Sequence, residues 1–137
     1  MENSITISVL VNAPIHKVWD KWTKPEHIVR WTFASDDWHA PFAESDLKIG
    51  GKFSTTMAAK DGSFSFDFSG VFTDVHAPTR LAYTMDDGRM ALVEFQTVGA
   101  ATKVTESFQM EGENSEEMQR SGWQAILDNF KKYVESL

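Results

Sequence analysis

The sequence contains no cysteine, and its 13 basic residues are outnumbered by 20 acidic ones, for a net charge of −7. Without cysteine the chain has no disulfide framework, no thiolate metal site and no cysteine nucleophile. The negative charge argues against a nucleic-acid surface, which requires clustered Lys and Arg side chains. No apolar run approaches the roughly 18 residues of a membrane span, and residues 1–4 lack the features of a secretion signal. We therefore expect a soluble cytoplasmic protein with no nucleic-acid partner and no membrane span.

Aromatic residues are the abundant class, with 10 Phe, 5 Trp and 2 Tyr among 137 residues. Each buried Phe or Trp removes on the order of 150–250 Å² of surface from water, so a few such residues can hold a fold of this length. Domains most often have about 100–150 residues, and neither an internal repeat nor a linker interrupts the chain. The sequence therefore predicts a single domain over residues 1–137.

The start of the chain predicts one strand and two short helices. Residues 3–11 alternate between apolar and polar side chains, which is typical of a half-buried strand. Pro14 suits the first position of a helix, with either Asn12 or Ala13 as its cap, and Pro25 can begin a second short helix. Two short helices therefore follow the first strand.

Strand and turn signals alternate over residues 47–110. Phe64, Phe66 and Phe68 alternate with polar residues, as expected for a strand with one buried face. Gly62 and Gly88 each follow Asp, a pair typical of tight hairpin turns. The segment therefore predicts five or six antiparallel strands.

The last segment predicts a helix of about 20 residues, which is about 30 Å long. Apolar residues recur at helical spacing from Met118 to Val134, with Asn114 as the predicted N-cap and Glu117 in a capping-box position. Only this helix is long enough to cover one face of the sheet. The predicted fold class is α+β: a curved antiparallel sheet wraps around a C-terminal helix, and the space between them is a natural place for a cavity.

Short motifs spread over nearly the whole chain carry a resemblance to a known family. They are Val11-Asn12-Ala13-Pro14, Val18-Trp19, Trp22-Thr23, Pro25-Glu26-His27, Trp31, Asp46-Leu47-Lys48-Ile49-Gly50-Gly51-Lys52-Phe53, Asp61-Gly62, Gly70-Val71-Phe72 and Gly122-Trp123. In this order they resemble the helix-grip (SRPBCC) superfamily of START domains, birch-pollen-allergen-like proteins and aromatic polyketide cyclases. Within that superfamily the chain most resembles the AHSA-like branch, named for the activator of heat-shock-protein ATPase.

The resemblance implies a helix-grip fold and a small hydrophobic or amphipathic ligand of unspecified identity. It also implies two alternatives. One is a cyclase- or hydrolase-type enzyme that uses the same cavity. The other is a chaperone-associated interaction domain, whose partner is a chaperone or a second copy of the chain. The superfamily supplies no universal catalytic motif, so no catalytic residue is assigned, and we expect no cofactor.

Seven residues are predicted to contact a ligand between the sheet and the last helix. They are Trp38, Phe53, Phe66, Phe68, Glu106, Met118 and Trp123. For each Phe, simple core packing is the alternative interpretation. Residues 32–46 show no periodicity and are predicted as an irregular loop. For Trp38, a role as a lid or a cavity rim is therefore as good an explanation as core packing.

Glu106 is the one acidic residue that the strand pattern directs inward. It shares a face with Val104 and Phe108, whereas Glu94 and Asp67 fall on exposed faces. Burial would raise its pKa, and the carboxyl group could then act as an acid or bind a polar group of the ligand. A hydrogen bond to a neighbouring strand or to the helix is the alternative.

No metal site is predicted. The four histidines, His16, His27, His39 and His76, are dispersed, and no pair has the spacing of a zinc motif. The Gly50-Gly51 pair precedes a strand rather than a helix, which excludes a phosphate-binding loop and favours a bulge or kink in the sheet.

Overall fold

The computed structural model describes residues 1–137 as seven strands and three helices. In chain order these elements are β1 (Ser4–Val11), α1 (Ile15–Thr23), α2 (Pro25–Ile28), β2 (Trp38–Ser45), β3 (Lys52–Ala59), β4 (Ser65–His76), β5 (Arg80–Met85), β6 (Met90–Val98), β7 (Ala101–Gln109) and α3 (Glu116–Glu135). The predicted α+β class and the predicted order of elements are confirmed. None of the helices is both long enough and apolar enough to cross a bilayer.

The seven strands form one antiparallel sheet in the order β1-β7-β6-β5-β4-β3-β2. The sheet curls into a half-barrel, and α3 lies against its concave face, in the helix-grip arrangement. α3 packs mainly against β1, while α1 packs against β6 and β7. Because α3 stays close to one side of the sheet, the concave face of β3, β4 and β5 is covered less closely.

The core follows from the alternation of side chains along the strands. In one inward row, Glu106 pairs with both Ile7 and Val93, and Val93 pairs with Leu81. The completely buried residues all belong to β1, α1, β6, β7 and α3. They are Ile5, Val11, Val18, Val93, Thr102, Val104, Phe108, Leu127, Phe130 and Val134. The packed core therefore lies on the side of the sheet that α3 covers.

Three aromatic side chains attach the short helices to α3. Trp22 of α1 contacts Trp31, with ring centroids 4.7 Å apart, and both rings meet the edge of Phe130 at 4.8 Å. The indole N–H of Trp31 donates a hydrogen bond to the carbonyl of Lys21 at 3.0 Å. Edge-to-face pairs of this kind add to the free energy gained from burial alone. The cluster fixes α1 and α2 at one end of the concave face.

The free edge of β1 is covered by polar side chains of α3. Three of them donate hydrogen bonds to carbonyl oxygens of β1, and a carboxylate just beyond accepts one from a backbone N–H. The pairs are Arg120–Thr6 (3.0 Å), Gln124–Ser8 (3.3 Å), Lys131–Leu10 (2.6 Å) and Glu135–Asn12 (2.8 Å). An edge strand otherwise presents unpaired backbone groups to other chains. The same helix that covers the core therefore also closes this edge.

The prediction of an irregular loop over residues 32–46 is wrong in its second half, because Trp38–Ser45 forms β2 at the other edge of the sheet. The pairing of β2 with β3 shifts register between His39 and Phe42. Pro41 lies inside that shift and has no N–H to donate, which an edge strand tolerates. The irregularity removes the simple alternation by which a strand is recognised in the sequence.

The boundaries of two helices differ from prediction by one residue. The N-cap of α3 is Ser115 rather than Asn114, and its hydroxyl accepts a hydrogen bond from the N–H of Met118 at 3.1 Å. The carbonyl of Asn114 instead accepts from the side chain of Gln119 at 2.8 Å. Pro14 is the cap residue of α1 rather than its first helical residue.

Gly50 and Gly51 form a tight turn before β3 and not a bulge within a strand. Gly50 has a positive φ of 83°, which glycine adopts without strain. A Cβ atom on Gly51 would collide with the carbonyl oxygen of Asp46. The turn therefore requires glycine at both positions, and it delivers the chain into β3.

Candidate functional site

A cavity of about 270 Å³ lies between the concave face of the sheet and the helices. Most of its wall is apolar, with contributions from α1, α2, β3, β4, β5 and α3. Small-molecule sites usually have volumes of about 300–1,000 Å³, and an engineered cavity of about 150 Å³ already binds benzene. This cavity therefore has the size for a compact ligand of one or two rings.

Trp123 forms the boundary between the packed core and the cavity. Its ring stacks on Phe108 of β7, with centroids 3.9 Å apart and planes at 10°, and it meets Phe68 of β4 edge-on at 5.9 Å. Both Trp123 and Phe68 line the cavity. The stack holds the indole in one orientation, so this wall is rigid.

Phe53 of β3 forms another part of the wall, and its position depends on a glycine. Its ring lies 5.0 Å from those of Phe72 and Tyr83, and its register partner on β4 is Gly70. A Cβ atom on Gly70 would lie 3.0 Å from the Phe53 ring and would collide with the carbonyl of Thr84. The absence of a side chain at position 70 lets the ring of Phe53 lie across β4 and reach the cavity.

Glu106 places a carboxyl group in this apolar environment. Its side chain lines the cavity, is only 7% exposed and makes no hydrogen bond within the protein. Every completely buried side-chain oxygen in the protein has a hydrogen-bond partner. The carboxyl oxygens of Glu106 have none, so they are not completely buried and face the cavity. Burial raises the pKa of Glu106 to about 8. The group is therefore a neutral carboxylic acid at pH 7 and acts as a hydrogen-bond donor.

Two hydroxyl groups share the cavity with Glu106. Tyr83 of β5 is 6% exposed and Thr55 of β3 is 4% exposed, and neither hydroxyl makes a hydrogen bond within the protein. Burial first, and then the negative charge that Glu106 carries at higher pH, raise the pKa of Tyr83 well above its usual value, so its hydroxyl keeps its proton. Three buried polar groups thus face the cavity without partners, and a ligand can supply those partners.

Arg89 lines the cavity beside these groups, but its charge is already paired. Its Nε donates to a carboxylate oxygen of Asp87 at 2.8 Å, and its Nη1 donates to the carbonyl of Gln109 at 3.3 Å. Glu44, also part of the wall, is exposed. Neither side chain brings an uncompensated charge into the buried part of the cavity.

Five of the seven predicted ligand contacts line the cavity, namely Phe53, Phe66, Phe68, Glu106 and Trp123. Met118 does not, because it lies in the first turn of α3 with 62% of its surface exposed. Trp38 does not line the cavity either. Its ring contacts those of Phe64 and Phe66 at 6.1 and 6.0 Å.

Trp38, Phe64 and Phe66 form an aromatic group that we call the rim cluster. Phe64 and Phe66 are 60% and 44% exposed, and Phe66 also belongs to the cavity wall. Trp38 therefore lies one layer outside the wall, next to Phe66, which is a partly exposed residue of the wall. The local sequence around Trp38 does not reveal these contacts, because both partners lie more than 20 residues further along the chain, at the start of β4.

The predicted ligand contacts do not include Tyr83, Thr55, Trp22 or Trp31, all of which line the cavity. These residues sit in ordinary alternating or helical patterns, and nothing local separates a cavity wall from a filled core. Glu94 and Asp67 are exposed, as predicted, and Asp67 accepts a hydrogen bond from Thr56 at 2.7 Å. No group of three or more His, Cys, Asp or Glu side chains could hold a metal ion.

Comparison with known proteins places this chain among relatives of the same fold. Residues 12–135 match the family model described as Activator of Hsp90 ATPase homolog 1-like protein. The solution structure of the AHSA1-like protein from Aeromonas hydrophila has a TM-score of 0.89 and 48% identity, over 96% of this chain and 93% of that chain. A solution structure from Cytophaga hutchinsonii has a TM-score of 0.84 and 51% identity, over 98% and 93% of the two chains.

More distant structures share the fold alone. A crystal structure from Nitrosomonas europaea has a TM-score of 0.84 at 21% identity, over 98% of this chain and 96% of that chain. None of the curated proteins matches the chain.

Proposed function

The chain belongs to the Activator of Hsp90 ATPase homolog 1-like protein family, and from that premise we propose that it binds a small hydrophobic or amphipathic ligand in the cavity between the sheet and α3. The observation that carries the proposal is the combination of an apolar cavity of about 270 Å³ with a buried, unpartnered carboxyl group inside it. A cavity that served only packing would be filled, since unfilled space in a core lowers stability.

The rigidity of the wall supports binding of a compact molecule. The Trp123–Phe108 stack and the group around Phe53 hold large rings in fixed orientations. A ligand then meets a preformed surface, and little conformational entropy is lost on binding. Stacking against several rings favours a flat or alicyclic ligand over a long flexible chain.

Native mass spectrometry tests the proposal directly. The protein is purified from the organism that produces it, and its mass is compared with that of the bare chain. We expect an additional mass from a bound small molecule. In parallel, the purified chain is titrated with tetralin, a compact bicyclic hydrocarbon, and Trp fluorescence is recorded, because Trp22, Trp31 and Trp123 line the cavity.

Two variants of α3 provide a matched pair for this experiment. Ile126→Trp adds volume at the cavity wall, and Met118→Trp makes a similar change on the exposed surface of the same helix. We expect Ile126→Trp to abolish tetralin binding and Met118→Trp to preserve it. Absence of binding in the wild type, or equal binding in both variants, would contradict the proposed cavity site.

An enzyme is the second candidate, since Glu106 and Tyr83 supply two polar groups in the same cavity. Glu106 would then be the acid or base, and Glu106→Gln would abolish turnover while leaving ligand affinity intact. An interaction domain is favoured only by the exposed rim cluster. An interaction domain is expected to have a filled core, and the cavity argues against this. Its partner would be a chaperone or a second copy of the chain.

A further inference from the structure

The polar groups of the cavity occur at positions where the sheet otherwise carries apolar side chains. Glu106 lies in an inward row between Ile7 and Val93, and its neighbours along β7 on the same face are Val104 and Phe108. Leu or Val at this position would pack without any loss of hydrogen bonding. A buried carboxyl group without a partner is destabilising, so its presence needs an explanation beyond packing.

Tyr83 comes from a different strand and faces the same space. It is two strands away from β7 in the sheet order, and its pairing partner on β6 is the small residue Ala91. Strands lie about 4.8 Å apart, so the backbones of Tyr83 and Glu106 are roughly 10 Å apart or more, and both side chains line the cavity. This separation suits a ligand that lies between the two side chains and contacts both.

The immediate surroundings of Glu106 contain no free charge. Its strand neighbours Ile7 and Val93 are apolar, and the cavity residues of α3, Trp123 and Ile126, are also uncharged. The residues that α1 and α2 contribute to the wall include no ionisable group. Burial keeps the pKa of Glu106 at about 8, so the group carries a proton at pH 7.

The other ionisable groups of the cavity do not change that state at neutral pH. Tyr83 keeps its proton because its pKa is raised. Arg89 is paired with Asp87, and Glu44 is exposed. At pH 7 the buried part of the cavity therefore presents hydrogen-bond donors in an uncharged, largely aromatic wall.

We propose that the natural ligand carries an acceptor oxygen, such as a ketone carbonyl, that accepts a hydrogen bond from Glu106, with Tyr83 as a second donor facing the same ligand. This inference rests on the proposed ligand-binding function and specifies its chemistry: a neutral compound of one or two rings with at least one acceptor oxygen. Hydrocarbons of the same shape leave both donors unpaired. Ammonium compounds would have to lose their hydration in an apolar cavity, and Glu106 would have to release its proton to solvent in order to pair with them.

Three compounds of matched shape separate these chemistries: tetralin has no polar group, α-tetralone adds a carbonyl oxygen, and aminotetralin adds an ammonium group. Each is titrated into the protein at pH 6.5 and at pH 9.5, and binding is followed by Trp fluorescence and by NMR shifts of the Trp indole N–H groups. At pH 6.5 we expect α-tetralone to bind about 3- to 10-fold more tightly than tetralin, the range expected for one net hydrogen bond.

The pH dependence follows from the proton on Glu106. Above pH 8 the carboxylate cannot donate and repels a carbonyl oxygen, so the preference for α-tetralone should fall by up to about tenfold per pH unit. Tetralin, which accepts no hydrogen bond, should show a much smaller change.

Variants of Glu106 and Tyr83 show how much each donor contributes to the preference for α-tetralone. Glu106→Leu should remove the preference for α-tetralone, and Tyr83→Phe should reduce it about two- to fivefold. Glu106→Gln keeps an N–H donor, so it should retain the preference and lose the dependence on pH. Glu94→Gln changes an exposed glutamate on the neighbouring strand and should behave as the wild type.

The outcomes distinguish this inference from the function on which it rests. If tetralin and α-tetralone bind equally, or if Glu106→Leu keeps the preference, the acceptor site is wrong while ligand binding stands. If aminotetralin binds most tightly and gains affinity above pH 8, the site is instead a cation site. If none of the compounds binds, the proposed function fails and this inference fails with it.

Discussion

Trp123 of α3 lies flat on Phe108 of β7, with ring centroids 3.9 Å apart and ring planes 10° from parallel. Phe108 is completely buried, whereas Trp123 is partly exposed and lines the cavity. The stack therefore defines where the packed core ends and the cavity begins. It also ties the helix to the sheet at the point where the two elements separate.

Trp123→Ala should lower the free energy of unfolding by about 3 kcal/mol, because it removes the stack and enlarges the cavity. The measurement is urea unfolding followed by circular dichroism. Trp38→Ala is the control, since Trp38 is also partly exposed and its ring contacts are with Phe64 and Phe66 of the rim cluster. For that variant we expect a loss of about 1 kcal/mol. Equal losses in both variants would mean that the stack does not contribute specially to stability.

Glu106→Gln should make the protein more stable than the wild type at pH 8. The pKa of Glu106 is raised from 4.5 to about 8 in the folded protein. Protonation of Glu106 therefore makes its full contribution to the free energy of unfolding below pH 4.5, and this contribution is lost as the pH rises to 8. At about 1.4 kcal/mol per pH unit, the wild type loses up to about 5 kcal/mol over this window, and the Gln variant does not.

Urea unfolding at pH 5, 6.5 and 8 measures this difference, which should grow with each step in pH. Glu94→Gln is the control, because Glu94 is exposed and its loss should leave the pH profile parallel to that of the wild type. A constant difference between the Glu106→Gln variant and the wild type at all three values of pH would show that Glu106 does not titrate as described.

Gly70→Ala should destabilise the fold and also disturb the cavity. The added methyl group would collide with the carbonyl of Thr84 and press on the ring of Phe53. We expect a loss of about 2 kcal/mol, typical of overpacking, together with weaker tetralin binding. Gly112→Ala is the control, since nothing lies within 4 Å of a Cβ atom there. Thermal unfolding and the fluorescence titration report the two effects separately.

Lys131→Ala should expose the free edge of β1 and promote self-association. Lys131 donates to the carbonyl of Leu10 at 2.6 Å and also pairs with Glu135. The adjacent Lys132 is exposed, so Lys132→Ala removes the same charge without uncovering the strand. We expect about 1 kcal/mol less stability and faster aggregation for the first variant only, measured by light scattering on warming. Similar aggregation of both variants would assign the effect to net charge.

The fold could be predicted because the strands are amphipathic and the last helix has a regular apolar stripe. The alternation around Glu106 also predicted that its side chain points inward, and the structure agrees. β2 could not be predicted, because the register shift near Pro41 removes the alternation. Tyr83 could not be assigned to the site, because its relation to Glu106 depends on the order of strands in the sheet rather than on local sequence.

The helix that lies to one side of the sheet divides the molecule into two parts of different local stability. The completely buried residues belong to β1, α1, β6, β7 and α3, and none of them lies in β2, β3 or β4. Backbone amides of β7 should therefore exchange with deuterium only on global unfolding, whereas those of β2 and β3 should exchange through smaller openings. Such openings would part the cavity wall without loss of the core, and they would widen the access of a ligand to the cavity.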